Sequence, residues 1–206
     1  REGHAMTAPK TILAPDEEPI TVDDARAHLE AARYGDTELD ATDDAMIESW
    51  IQAAREHCED FLGLSLAVRT LEIALDEFPD DDAPIVLPMG PVIDVTSVSW
   101  GDESDDEMDA DEYVLDDYSV PHCLKPVTAW PSVTSAPNAV KVRYLAGYGE
   151  TTDGADPLPA VFRSAMLLVI GHLYENRSES TEKAMSSLPL GVQALLRPRR
   201  VRLGMA

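Results

Sequence analysis

Three stretches of the chain carry side chains whose type and spacing could do chemistry. The first is 101–112, which holds Asp102, Glu103, Asp105, Asp106, Glu107, Asp109, Asp111 and Glu112. Clustered carboxylates are what calcium needs, but an EF-hand loop also needs a glycine at its turn and a helix on either side, and both are missing. The run reads as a solvated, mobile acidic loop without a specific calcium site. The second is His122 beside Cys123. Zinc needs three or four ligands, and no second pair accompanies these two. His57 and Cys58 fall on an apolar helix stripe and read as packing residues. The third is the C-terminal tail, where Leu190, Val192, Leu195 and Leu196 form a short apolar face ahead of Arg197, Arg199, Arg200 and Arg202. A peptide that is both apolar and basic suits a groove on another chain. It suits equally a solubilising end that folds back on its own acidic body. Gly147-Tyr148-Gly149 lacks the continuation and the Lys-Ser/Thr of a phosphate loop and reads as a turn that ends a strand. No nucleophile-elbow or zinc-protease motif is present, and no cofactor or metal is expected.

The elements that carry these stretches follow from periodicity. Thr21 with Asp23 and Asp24 opens a helix at 21–32, where carboxylates suit the positive helix end. Met46, Ile47, Trp50, Ile51, Ala54, Cys58, Phe61 and Leu62 make one wide stripe over 43–62, and Gly63 stands where a helix C-cap belongs. The period then changes to two. Strand-like stretches appear at 66–78, 85–87, 92–100, 113–115, 119–124 and 139–145. A helix at 160–176 is apolar on nearly all sides, which calls for burial by its own core or by neighbouring subunits. A short helix through Leu196 is stopped by Pro198. The expected fold is α+β: a mostly helical base of three main helices plus a C-terminal segment, with a small antiparallel β-sheet inserted between the second and third helices. Residues 1–5, ahead of Met6, read as a remnant of expression, and 1–18 as a flexible N-terminus. Residues 19–177 read as a single domain with its strand insertion at 66–145, and 178–206 as a mobile linker and basic docking tail.

Composition narrows the function. The chain has 206 residues with 16 Lys+Arg against 39 Asp+Glu, a net charge of -23. That balance argues against phosphate neutralisation of the usual nucleic-acid-binding kind and against docking on an anionic membrane. A very soluble protein, or one that lies near DNA without sticking to it, fits. The charge is uneven: 183–206 carries five basic residues and no acidic one, so the rest of the chain stands at -28. Two cysteines make no disulfide framework, and no apolar run approaches the ~20 residues of a membrane span.

Several stretches, in order, resemble one family. Pro19-Ile20-Thr21-Val22-Asp23-Asp24-Ala25-Arg26-Ala27-His28-Leu29 and the helix from Asp43 to Glu56 are similar to the opening of the adaptor proteins of long-tailed phages and prophages. Leu87-Pro88-Met89-Gly90-Pro91-Val92 with Val95 to Val98 resembles the family's sheet insertion, and Val142 to Gly149 its last strand. The helix from Leu167 to Arg177 and the segment from Leu188 to Leu196 are similar to the family's third helix and C-terminal segment. The resemblance spans about Pro19 to Arg202. It implies a head–tail connector, also called a head completion or DNA-packaging adaptor protein, of a kind that gene transfer agents use as well.

Such proteins have no known catalytic activity. The resemblance implies a ring, expected as a dodecamer, below the portal at the head–tail junction of a virion assembled in the host cytoplasm. The ring extends the DNA channel, lets DNA pass without specific binding and carries a stopper or tail-completion protein. On this reading the tail residues Leu190, Val192, Leu195, Leu196, Arg197, Arg199, Arg200 and Arg202 dock on the portal. Trp50, Phe162, Met166, Val169 and Leu173 are the candidate subunit interface. The acidic loop and the arginine-rich tail depart from the family's pattern. The alternatives are a small acidic hydrolase with a carboxylate site, and an acidic DNA mimic that inhibits a basic protein.

Overall fold

The computed structural model describes residues 8–32, 43–101, 106–149, 157–176 and 190–201. The chain divides into a helical unit, Glu17–Leu62 with Asp156–Arg200, and a strand unit, Arg1–Asp16 with Gly63–Ala155 and Val201–Ala206.

In the helical unit, α1 (Val22–Ala32) begins at a reciprocal cap. The Asp24 amide donates to Thr21 Oγ1 at 3.1 Å, and the Thr21 hydroxyl donates to Asp24 Oδ2 at 2.8 Å. This satisfies helix-start donors that would otherwise be orphaned. α2 (Asp44–Leu62) buries Ile47, Ile51, Ala54, Cys58 and Leu62 of the expected stripe, whereas Trp50 and Phe61 are half-buried and Met46 is exposed. Gly63 follows at φ 70, the left-handed conformation that ends a helix. α3 (Ala160–Glu175) buries Phe162, Ala165, Met166, Val169, Ile170 and Tyr174. It packs on α1, α2 and α4 (Leu190–Leu196), so the chain itself covers most of the apolar surface of α3. A single 3-10 turn, Arg197–Arg199, closes the unit's C-terminal end.

Charge is built into this core. Arg55, 4% exposed, donates from Nη1 to Glu59 Oε2 at 3.0 Å and from Nε and Nη2 to Glu18 at 2.8 and 3.1 Å. Burial works against the guanidinium's charge, but the bonds to Glu18 and the charges of Glu59 and Glu18 outweigh it and raise its pKa. Arg163 of α3 reaches Asp24 at 2.7 Å, and Arg26 bridges Asp23 and Asp44.

In the strand unit, β1 (Lys10–Leu13), β2 (Arg69–Leu75), β8 (Val140–Ala146), β4 (Val92–Trp100) and β5 (Asp106–Glu107) form a five-stranded sheet in the order β1-β2-β8-β4-β5. A three-stranded sheet runs β3 (Ile85–Val86), β7 (Cys123–Pro126), β6 (Tyr113–Asp116). Every strand pair is antiparallel. Leu71, Ile73, Val98, Leu124, Val140, Val142 and Tyr144 meet in one core. Phe78 lies stacked at 5.2 Å on Trp130, whose indole N–H donates to Ala83 O at 3.0 Å. The buried Tyr144 hydroxyl donates to Pro88 O at 2.7 Å.

The α+β expectation holds, with corrections to the sheet. It is larger than an insertion between α2 and α3, because β1 precedes α1 and pairs with β2. The acidic stretch 101–112 is not loop throughout. Asp106 and Glu107 pair with Trp100 and Ser99, and Met108 is 5% exposed in the core. The expected strand at 119–124 is a turn as far as His122, with β7 starting at Cys123. Residues 102–105, the linker 177–189 and Arg202 lie outside the described residues.

Candidate functional site

Cys58, Cys123 and His122 are tied up in architecture. Cys58 is fully buried, and burial with the neighbouring Glu59 charge pushes its thiol up to about 12, far from the thiolate that reactivity needs. Burial raises the Cys123 thiol as well, and Sγ donates to Pro121 O at 3.4 Å. Burial lowers the His122 pKa, and its Nδ1 accepts the Val92 N–H at 3.1 Å. Among the described residues, no group of three His, Cys, Asp or Glu could hold a metal ion. The outer surface is where the chain presents distinctive chemistry.

One such surface is α4 with its following turn. Val192 and Leu196 are fully buried in the helical unit, whereas Leu190 is 84% exposed, and Leu195 with Arg197, Arg199 and Arg200 faces solvent. Arg199 lies over the Phe162 ring at 6.0 Å and Arg200 over Phe61 at 5.2 Å, which fixes the turn to α3 and α2. The tail residues expected to dock therefore separate into an anchor, Val192 and Leu196, and an outward basic-apolar face. Of the candidate interface residues, Phe162, Met166 and Val169 sit in the chain's own core. Trp50 and Leu173 are half-buried, and Trp50 meets Tyr174 edge-on at 5.6 Å. The apolar residue that α3 leaves outward is Leu168.

The other surface was missed in sequence. The hairpin of β6 and β7 sets Val114 and Val127 outward, while its inner residues Leu115 and Leu124 pack into the core. Its turn exposes Tyr118 at 95% and Val120 at 74%. One carboxylate builds that turn. Asp116 Oδ1 accepts the amides of Tyr118 and Ser119, both at 3.2 Å, and Oδ2 accepts the Ser119 hydroxyl at 2.8 Å and Lys125 Nζ at 2.7 Å. An aspartate two and three residues ahead of the amides it binds is the signal that could have located the turn.

The bond from Lys125 and then that from Ser119 hold the Asp116 carboxyl at about 2, below the ordinary 3.8. Its contribution is therefore complete above the unfolded value and lost as pH falls through the folded one. We expect the Ser119 amide resonance to hold its position down to about pH 4 and to move only as the pH nears 2. A midpoint at the ordinary aspartate value would show that the carboxylate does not organise the turn.

By class, this is a mixed α+β module that presents a basic-apolar helix and a hairpin with an acidic, aromatic tip. No known family model and no curated protein matches the chain. Solved structures do share its fold. A chain in the virion of a native gene transfer agent particle is 24% identical with a TM-score of 0.72, over 97% of this chain and 99% of that one. A chain in the neck of an empty gene transfer agent particle, computed with C6 symmetry, is 23% identical with a TM-score of 0.73 at the same coverage. In the neck of the native particle, computed with C12 symmetry, the values are 22% and 0.71. The fold is thus one found in the neck of gene transfer agent particles.

Proposed function

We propose that this protein is a head–tail connector, a structural neck component of a tailed phage, prophage or gene transfer agent particle, and not an enzyme. The observation that carries the reading is the shared fold over nearly the whole of both chains, 97% and 99%, with chains of gene transfer agent necks. Those necks were computed with C6 and C12 symmetry. A ring of copies below the portal fits that symmetry, and we take a dodecamer as its form. Such a ring extends the DNA channel and carries the stopper or tail-completion protein at the head–tail junction, after assembly in the host cytoplasm.

The charge supports this role. At -23 per chain, a ring repels the phosphates of DNA passing through it, so the duplex slides without being held. The engaged states of Cys58, Cys123 and His122 support a structural role over a hydrolytic one. Removing the gene should leave DNA-filled heads without tails, and supplying the protein should restore tailed particles under electron microscopy. Tailed particles in its absence would rule the connector role out.

A further inference from the structure

Two surfaces of this chain complement one another and lie in different units. The hairpin offers Tyr118 and Val120 on a turn that Asp116 holds in place, so little order has to be gained when they are buried. Its tip is acidic: Asp116 and Asp117 directly precede Tyr118, and Asp117 is exposed beside it. The α4 face offers the opposite, exposed Leu190 and Leu195 beside Arg197, Arg199 and Arg200. Each has an apolar centre that a partner would cover and a charged rim of the sign that the other needs.

From this complementarity, we infer that the aromatic hairpin of one copy docks on the basic α4 face of the next. The occupant of each surface is a second copy of this chain. Because the two surfaces differ, the contact is head-to-tail, and repeating it closes into a ring where the rotation allows. The inference deepens the connector reading and rests on it. It also gives the tail's outward face to a neighbouring subunit, where the sequence alone suggested the portal.

The test is sedimentation of the full chain up to millimolar concentration, with melting curves to confirm that each variant folds. Wild type should associate. Tyr118→Ser, Asp117→Arg and Arg197→Glu should each weaken association about tenfold, and Asp117→Arg with Arg197→Glu should recover most of the loss, since only a direct charge pair is restored by swapping its signs. A monomeric wild type, variants that associate like wild type, or a double variant no better than its parents would each overturn the contact. If Arg197→Glu associates normally but no longer restores tailed particles, the α4 face belongs to the portal. That outcome overturns this contact and leaves the connector reading standing, whereas tailed particles formed without the protein would remove the connector reading itself.

Discussion

Replacing Arg55 with methionine will cost about 3 to 5 kcal/mol of folding stability, because it leaves the 2%-exposed Glu59 carboxylate with its salt-bridge partner gone. Arg55 also holds Glu18 in the segment that leads into α1, so the loss reaches the start of the helical unit. The charge is the cause, and a second variant shows it. Arg55→Met combined with Glu59→Leu removes both charges of this pair and fills their space with apolar atoms. It should return to within about 1 kcal/mol of wild type, as buried ion pairs replaced together often do. Glu18 is a third exposed, and water can take over its share. Urea unfolding followed by the helical circular-dichroism signal measures both. If the single variant lost less than about 1 kcal/mol, the network would be decoration on an apolar core.

The second large effect falls on Gly147, at the end of β8. It stands at φ 133, and a Cβ there would lie 2.1 Å from the Ala67 carbonyl oxygen and 2.8 Å from the Val68 nitrogen. Both are backbone atoms beside β2, so no side chain can swing away to make room. Gly147→Ala combines a strained backbone worth about 1 to 3 kcal/mol with a forced separation of the two chain segments, and we expect at least about 4 kcal/mol in all. The near-ultraviolet signal of Trp100 and Trp130 in the strand unit should melt early. Gly191→Ala in α4 is the control: nothing lies within 4 Å of its added Cβ, and the change should be neutral or stabilise by up to about 1 kcal/mol. Equal melting of the two variants would mean that the close approach at Gly147 relaxes at no cost.

The parts of this fold that could be read in the sequence are those where one side chain pattern decides the outcome. The stripe from Ile47 to Leu62 names its own buried face, and Thr21 with Asp24 names its own helix start. Strands β4 and β8 are long enough for alternation to speak. β1 is four residues, largely exposed, and becomes a strand only because the edge of β2 pairs with it. β5 is two acidic residues that pairing with β4 recruits against their propensity. The apolar girth of α3 calls for cover, but periodicity cannot say whose atoms supply it, and α1, α2 and α4 do. At 119–124, Ser119 and Val120 suggest a strand by composition. The Asp116 carboxylate takes the amides of Tyr118 and Ser119 first and folds the chain into a turn. The acidic hairpin tip, and half of the candidate site, were hidden by that competition.

The interleaving of the two units sets the order in which a nascent chain can fold. α1 and α2 leave the ribosome together, but α3, which covers them, begins at Ala160, nearly a hundred residues after Leu62. At roughly 5 to 20 residues per second, translation leaves Ile47, Ile51 and Leu62 without α3 for about 5 to 20 s. During that wait β2 to β8 emerge as an unbroken run and can close their sheets around Val98, Val142 and Tyr144. The β-domain is therefore synthesised whole while the helices stand half made. The exposed α2 stripe is the surface on which a chaperone would act, or on which crowded polysomes would aggregate, when a cell makes this protein in bulk.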